Sequence, residues 1–224
     1  MLRFAVLASG TGSNFRAILR HVHEGRINAE IALVLSNVPD APALTIAREA
    51  GISTWAKAHA TFPSRAAFDA AMLEAMRSAK IDAVILAGYM RLLSPSFIQA
   101  YSGKILNIHP SLLPAFPGAH GADDALAYGV RFTGCTVHFV VEEMDAGAII
   151  IQAALPVEAE DTKETLMPRV HALEHRIYPQ AVAWLASGRL SLEGRKARLV
   201  AAPGVRFSPT EMANLVNPPL EEGF

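Results

Sequence analysis

The amino-acid sequence predicts a doubly wound α/β domain built around a mostly parallel sheet. Short apolar runs alternate with longer stretches of helical character through the first 130 residues. Strands that are apolar along their whole length are typical of parallel sheets covered by helices on both faces. With 224 residues, of which 51% are hydrophobic, the chain can bury the core that such a domain needs.

Five strand-helix units account for this first part of the chain. The apolar runs are FAVLAS, IALVLSN, the short STWAK, AVILAG and ILNIHP. The helical stretches that follow them are NFRAILRHVHEG, APALTIAREAG, SRAAFDAAMLEAMRSAK, SPSFIQAYSG and GADDALAYG. Ligands of open α/β sheets bind outside the carboxyl ends of the strands, so a site is expected in the segments between each run and its helix.

The pattern changes after residue 130. The runs GCTVHFVV and AIIIQAALPV are separated only by EEMDAG, too short for a crossover helix, so these strands should pair antiparallel. A long helix is predicted over residues 162–187, with Asp161 or Thr162 as its cap and Gly188 as its end. RLSLEGRKARLV predicts a small hairpin, and the proline-containing tail to Phe224 is predicted to be irregular.

No repeat and no interdomain linker interrupts the chain. We therefore predict that residues 1–190 form the functional domain and that residues 191–224 form a hairpin and tail belonging to the same domain.

Composition restricts the partners. The formal net charge is −1, and no block of Lys and Arg marks a nucleic-acid-binding or membrane-surface protein. No nucleic-acid or membrane partner is therefore expected, while a phosphorylated small ligand stays possible because a local loop can hold it. Small-molecule substrates are predicted, and the chain is predicted to be a monomer or homodimer.

Cysteine usage points to a reducing compartment. The single cysteine, Cys135, excludes an internal disulfide and a multi-cysteine metal site, and no metal is expected. The N-terminal apolar run of about six residues is too short for a signal peptide or a membrane span. A cytoplasmic protein is predicted.

The stretch ASGTGSN, residues 8–14, follows the first strand and opens a helix. Glycines let backbone N–H groups approach an anion, and a helix N-terminus favours negative charge. Gly10 and Gly12 fit the start of a dinucleotide fingerprint, but Phe15 occupies its third glycine position and no acidic residue ends the second strand. The P-loop lysine is also missing. A monophosphate is the predicted ligand, and a purely structural turn is the alternative.

The stretch AVILAGYMRLLSP, residues 83–95, is a buried strand that ends at Gly88 and releases an apolar, partly basic segment. At the carboxyl end of a strand, residues 89–93 could line a pocket for a flat organic group through backbone contacts. The alternative is simple packing of the next helix.

The stretch ILNIHPSLLPAFPG, residues 105–118, places two polar side chains on one face of a strand. Leu106 and Ile108 should point one way, and Asn107 and His109 the other, because side chains alternate along a strand.

Asp145 lies in VEEMDAG, residues 141–147, which connects two predicted strands. An Asp in such a connection ordinarily serves only to form the turn. A carboxylate beside His109 would instead keep the imidazole protonated and oriented, and Asn107 would add a neutral donor. That combination suits an acyl-type transfer with an oxyanion to stabilise, and it implies no Ser or Cys nucleophile.

Five blocks, in this order and at these separations, resemble the phosphoribosylglycinamide formyltransferase family of purine biosynthesis. They are SGTGSN, LAGYMRLLSP, ILNIHPSLLPAFPG, FTGCTVHFVVEEMDAG and ALEHRIYP, and the likeness covers about residues 1–190. The resemblance implies a Rossmann-like formyltransferase fold. It also implies transfer of the formyl group of 10-formyltetrahydrofolate, a co-substrate, to the amine of N1-(5-phospho-β-D-ribosyl)glycinamide, with no covalent enzyme intermediate.

The resemblance also implies roles for individual residues. Asn107, His109 and Asp145 would be catalytic. The phosphate of the ribonucleotide would bind Gly12, Ser13 and Asn14, and its ribose would bind Glu174. Folate would bind Arg65, Met90, Arg91, Leu92, Leu93, Asn107, Val141, Glu142, Glu143, Met144 and Asp145. His138 is expected to be a structural strand residue.

One segment departs from the family pattern. Where the family usually has a Thr-His-Arg-like or His-Glu-Arg-like run, residues 121–124 read GADD, so helix capping or substrate contacts are expected to differ there.

Three other functions compete with this interpretation. A formyltetrahydrofolate deformylase shares the catalytic trio but carries an extra N-terminal domain, for which a first strand beginning by residue 3 leaves no room. A methionyl-tRNA formyltransferase would need more than the roughly 35 residues after Gly188 for its C-terminal domain. A non-catalytic nucleotide-binding module would leave the trio unexplained.

Overall fold

A computed structural model describes residues 1–202, 204 and 215–224 of the chain. Its main sheet contains eight strands, in the order β10-β7-β6-β5-β4-β1-β2-β3, and a separate hairpin is formed by β8 and β9. The strands are β1 (Leu2–Leu7), β2 (Ala29–Ser36), β3 (Thr54–Ala56), β4 (Ala83–Leu86), β5 (Ile105–His109), β6 (Phe132–Phe139), β7 (Ile149–Pro156), β8 (Leu190–Glu193), β9 (Lys196–Leu199) and β10 (Leu215–Asn217).

Helices cover both faces of this sheet. They are α1 (Ser13–His23), α2 (Pro42–Glu49), α3 (Arg65–Ser78), α4 (Pro95–Ala100), α5 (Gly121–Tyr128) and α6 (Lys163–Ala186). No helix in the described ranges combines the length and apolar character needed to span a membrane.

The parallel part of the sheet is the one that the alternating pattern predicts. Strands β1 to β5 pair parallel, whereas β5 with β6 and β6 with β7 pair antiparallel. The predicted doubly wound α/β class and the predicted antiparallel pair late in the chain are confirmed, as is the β8–β9 hairpin.

The core lies in two layers, one on each face of the sheet. Along β1, Phe4 and Val6 belong to the layer that includes α1, α2 and α6, and Ala5 and Leu7 belong to the layer that includes α3 and α4. Neighbouring residues of a strand point to opposite faces, so an apolar run such as FAVL supplies both layers.

Helix α6 begins and ends where the sequence predicts. Thr162 is its N-cap, forming a capping box with Thr165, and Ser187 is its C-cap. Inside the helix, the buried Tyr178 hydroxyl donates to the carbonyl oxygens of Leu86 (2.7 Å) and Leu106 (3.0 Å). The helix is thus fixed to the last residue of β4 and to the residue that precedes Asn107 in β5.

The prediction of an irregular tail is wrong for residues 215–217. They form β10, which pairs antiparallel with β7, with Val216 opposite Ala153. A strand at the edge of a sheet has unpaired backbone groups, and β10 satisfies part of those of β7. The same prediction for residues 203 and 205–214 lies outside the described residues, and the division of the chain at residue 190 stays a prediction.

Candidate active site

The floor of the site is the antiparallel pair β5–β6, in which Asn107 lies opposite His138. The Asn107 amide Nδ2 donates to His138 Nε2 at 3.2 Å, and His138 Nδ1 donates to the carbonyl oxygen of Phe139 at 2.9 Å. Burial lowers the pKa of His138 from its ordinary value. His138 is therefore a neutral acceptor that orients Asn107, a contact not predicted from the sequence.

His109, at the end of β5, is 4% exposed and lies between two acceptors. Its Nε2 donates to the carbonyl oxygen of Phe116 at 2.8 Å, and its Nδ1 is 3.5 Å from Asp145 Oδ2. An imidazole can donate from both nitrogens only when it carries both protons. Two acceptors thus face the two ring nitrogens of His109.

Asp145 reaches this pair from the turn between β6 and β7. Its φ is +53°, in the left-handed region that Asp and Asn adopt more readily than most residues. Oδ2 accepts the Gly118 N–H at 2.8 Å, and Oδ1 is 3.7 Å from His138 Nε2. The carboxylate thus joins the turn, the loop after β5 and both histidines.

Beside these residues a cavity of about 580 Å³ opens. The residues that the resemblance assigns to folate all line it: Arg65 from the start of α3, Met90, Arg91, Leu92 and Leu93 after β4, Asn107 on β5, and Val141, Glu142, Glu143, Met144 and Asp145 after β6. His109 and His138 line it as well. Segments far apart in sequence thus enclose one space.

Residues 8–14, ASGTGSN, form a glycine loop that makes a tight entry into α1. Gly12 is the helix N-cap with φ +75°, and a Cβ there would lie 2.8 Å from Ala43 Cβ. The Arg16 N–H is bonded back to the Gly12 carbonyl oxygen at 2.8 Å, so the helix proper starts at Ser13. The N–H groups of the first turn are available to an anion, as at other helix N-termini.

Asn14 connects this loop to α6. It is 8% exposed, and its Nδ2 donates to Glu174 Oε2 at 2.8 Å. Asn14 Oδ1 is buried and has no hydrogen-bond partner within the described ranges. The buried pair therefore presents an unused acceptor beside the loop.

Glu174, itself 3% exposed, also accepts from His171. His171 Nδ1 donates to Glu174 Oε2 at 2.8 Å, and this hydrogen bond raises the pKa of His171. His171 is not among the residues predicted from the sequence. The available signal was the spacing of three residues between His171 and Glu174, which puts both side chains on one face of a helix.

The glycine loop and the cavity share a boundary. Ser9 Oγ accepts the Met90 N–H at 2.9 Å, and the Ser9 N–H donates to the Gly88 carbonyl oxygen at 2.9 Å. Gly88 and Met90 line the cavity. An anion at the loop and a flat ligand in the cavity would therefore be neighbours.

The unusual residues 121–124 form the first turn of α5, against the end of β5 and the loop that follows it. A Cβ at Gly121 would lie 3.1 Å from both His109 Nε2 and the Phe116 oxygen. Asp123 accepts a hydrogen bond from Lys163 Nζ at 2.7 Å, joining α5 to α6. A glycine at 121 therefore leaves room for the His109–Phe116 hydrogen bond.

The described part of the chain contains no group of three or more His, Cys, Asp or Glu side chains placed to hold a metal ion.

Comparison with known proteins reveals several relatives. Residues 2–182 match the formyl transferase family. The chain is 42% identical to phosphoribosylglycinamide formyltransferase of Escherichia coli (strain K12) over 208 residues, covering 93% of this chain and 97% of that protein. It is 48% identical over 195 residues to the trifunctional purine biosynthetic protein adenosine-3 of Bos taurus, of which it spans 19%.

Solved structures agree with these sequence matches. Glycinamide ribonucleotide transformylase 1 from Symbiobacterium toebii has a TM-score of 0.88 and 50% identity, covering 90% of this chain and 95% of that chain. A formyltetrahydrofolate deformylase from Pseudomonas syringae has a TM-score of 0.80 but 25% identity, and the match covers 89% of this chain and 66% of that chain. On the extent and identity of these matches, the chain belongs to the formyl transferase family.

Proposed function

We propose that this protein transfers the formyl group of 10-formyltetrahydrofolate to the amine of N1-(5-phospho-β-D-ribosyl)glycinamide. The products are formylglycinamide ribonucleotide and tetrahydrofolate, in de novo purine (IMP) biosynthesis. The observation that carries the proposal is the placement of Asn107, His109 and Asp145 on the wall of a cavity that borders the glycine loop.

Two subsites follow from this geometry. The phosphate binds the first turn of α1 at Gly12, Ser13 and Asn14, and the ribose hydroxyls bind Glu174, a buried carboxylate facing that turn. The folate occupies the cavity, where the segment after β4 and the segment after β6 lie on either side. The formyl group and the amine then meet near Asn107, at the boundary of the two subsites.

In the reaction, the amine nitrogen attacks the formyl carbon and a C–N bond forms, while the carbonyl oxygen gains negative charge. Asn107 donates to this oxygen with its orientation fixed by His138, and the His109 imidazolium donates beside it. The bond from the formyl carbon to N10 of the folate then breaks, the amine loses a proton and N10 gains one. No residue forms a covalent intermediate.

Asp145 and Phe116 prepare His109 for this role. The Asp145 carboxylate favours the charged imidazole by direct attraction. Without substrate, His109 Nε2 donates to the Phe116 carbonyl oxygen, so the developing oxyanion would replace that oxygen as the acceptor.

Hydrolysis is the second candidate, because a deformylase would use the same trio with water as the acceptor. The buried Asn14–Glu174 pair supports a second organic substrate instead, since water would need no such subsite. A non-catalytic module is the third candidate. The cytoplasmic location and the monomer-or-homodimer state stay predictions.

The test is release of tetrahydrofolate from 10-formyltetrahydrofolate, measured with and without the glycinamide ribonucleotide. We expect release only when the ribonucleotide is present, with formylglycinamide ribonucleotide formed in equal amount. Release without the ribonucleotide would establish hydrolysis. No release under either condition would favour the non-catalytic nucleotide-binding module.

A further inference from the structure

Helix α3 presents one row of side chains to residues 89–94, the segment that follows β4 and lines the cavity. Residues 65, 68, 69 and 72 have the spacing that places side chains on a single helix face. Each contributes differently. Arg65 lines the cavity, Phe68 lies under the Arg91 guanidinium at 5.7 Å, and Met72 Sδ is 3.8 Å from the Tyr89 hydroxyl.

Asp69 supplies the one charged contact of this row that is fully buried. Its side chain is 1% exposed, and its Oδ2 accepts the backbone N–H of Ser94 at 2.6 Å. Ser94 is itself 3% exposed and is the N-cap of α4. Hydrogen bonds to an ionised acceptor are short and strong, and burial removes competition from water.

In the described part of the chain, the Asp69 carboxylate accepts one hydrogen bond, from the Ser94 N–H. Its second oxygen, Oδ1, is buried and meets no hydrogen-bond partner among the described residues. A buried carboxylate is costly, so one with a single backbone donor is a poor way to stabilise a core. The carboxylate does not line the cavity, and it can affect ligands only through the segment.

The carboxylate lies close to both ends of the segment. At one end it holds Ser94, and at the other the pKa of the Tyr89 phenol is raised, first by burial and then by the negative charge of Asp69. Between these ends, Met90 is 75% exposed and Leu92 is 54% exposed, so their side chains contribute little to holding the segment in place.

We propose that Asp69 is a positioning residue for folate: by accepting the Ser94 N–H, it holds residues 90–93 in the conformation that binds the co-substrate. The inference rests on the proposed function and extends it to a side chain outside the cavity. It predicts that removal of the acceptor weakens folate binding and leaves ribonucleotide binding and the chemical step largely intact.

The test compares Asp69→Ala with Asp69→Asn in steady-state kinetics with both substrates. Asp69→Ala should raise the Michaelis constant for 10-formyltetrahydrofolate by about ten-fold, while that for the ribonucleotide and the turnover number change less than about three-fold. Asp69→Asn should restore most of the loss, because its amide oxygen can accept the same N–H. Binding of tetrahydrofolate, followed by calorimetry, should weaken in parallel.

Leu73→Ala is the matched control. Leu73 lies one turn further along α3, is 7% exposed and lines a second cavity with Arg77 and Tyr101, away from the folate residues. This variant should lose thermal stability as a core truncation does while both Michaelis constants stay within about two-fold. If Leu73→Ala raised the Michaelis constant for 10-formyltetrahydrofolate as much as Asp69→Ala does, the effect of Asp69 would be general destabilisation and the inference would be overturned.

A measurement on the unchanged protein covers the case in which Asp69→Ala does not fold. The Ser94 amide should exchange its hydrogen slowly, as a buried and bonded amide does, and fast exchange would overturn the inference.

The failure of this inference can be told from the failure of the proposed function. If the wild type transfers formyl groups but Asp69→Ala has an unchanged Michaelis constant for 10-formyltetrahydrofolate, the inference alone fails. If the wild type transfers none, the proposed function fails, and tetrahydrofolate calorimetry on the same variants still decides the role of Asp69.

Discussion

The amide of Asn107 donates to Nε2 of His138 across the β5–β6 pair, at 3.2 Å. Since Nδ1 of the same ring donates to the Phe139 carbonyl oxygen, His138 is the tautomer with its proton on Nδ1. An Asn amide whose nitrogen is fixed in this way keeps its remaining N–H available to the cavity. The chemistry proposed for Asn107 thus depends on the neutral state of a neighbouring histidine.

His138 should stay neutral to a lower pH than an ordinary histidine. Burial lowers its pKa, so the folded state binds fewer protons than the unfolded state below the reference value near 6.5. Above that value the ring is neutral in both states and the lowered pKa costs no stability. The free energy of unfolding should then decrease as the pH falls from that value towards the pKa of the folded state. NMR titration of the ring and unfolding in denaturant from pH 8 to pH 5 would measure both effects. A midpoint above the reference would contradict the assignment.

His109→Ala should reduce turnover severely. Loss of a positioned acid costs on the order of 10² to 10⁴ in rate, and the substituted side chain leaves the Asn107–His138 contact in place. Single-turnover kinetics would measure the loss, with thermal unfolding as the check on folding. His23→Ala removes an exposed histidine at the end of α1 and should behave as the wild type. Near-normal turnover of His109→Ala would remove this residue from the mechanism.

Asp145→Asn separates the charge of this residue from its role in the turn. Asn tolerates the φ of +53° and can accept the Gly118 N–H, so the turn should persist. Only the negative charge beside His109 and His138 is lost. We expect turnover to fall on the order of 10²-fold or more, with little change in melting temperature. Normal turnover would mean that Asp145 only shapes the turn.

Gly12→Ala should weaken binding of the ribonucleotide more than binding of the folate. The new Cβ would meet Ala43 and strain a backbone with φ +75°, displacing the loop that holds the phosphate. Gly51→Ala is the control, because its φ of +71° gives similar strain and its Cβ would meet no atom within 4 Å. Gly51→Ala should lose about 1–2 kcal/mol of stability from its backbone conformation alone. Gly12→Ala should lose more, because its Cβ also meets Ala43. Equal rises in the two Michaelis constants of Gly12→Ala would count against a phosphate loop.

Glu174→Gln should change both the ribonucleotide site and His171. The amide oxygen can still accept from Asn14 and His171, but the negative charge is lost. The pKa of His171, now raised by its hydrogen bond to Glu174, should fall towards the ordinary value. NMR would follow this titration, and the Michaelis constant for the ribonucleotide should rise by about ten-fold. An unchanged His171 titration would show that the carboxylate does not control this ring.

Local patterns in the sequence were enough to predict most of the architecture. Continuous apolar runs indicate strands buried on both faces, and the short EEMDAG connection allows only antiparallel pairing of β6 with β7. Caps within a few residues of the chain determine where α6 begins and ends. The alternation along β5 likewise predicts that Asn107 and His109 share a face.

The candidate site was predicted in part from residues and in part from resemblance. The position of Asp145 in a turn does not reveal that its carboxylate approaches a histidine 36 positions earlier in the chain (145 − 109). The partnership of Asn14 with Glu174, across 160 positions, depends on α6 packing against α1. Neither contact has a local signal, because periodicity specifies which face of an element is buried and not what it meets there.

By itself, the sequence determined the order and type of the elements and the faces that they bury. It also determined which residues have side chains able to take part in binding or catalysis. Only the tertiary structure decided that Asn107 meets His138, that Asp69 accepts the Ser94 N–H and that residues 215–217 close the edge of β7. The physical reason is that local propensity and burial act over a few residues, whereas register and strand order are selected by the packing of the whole sheet.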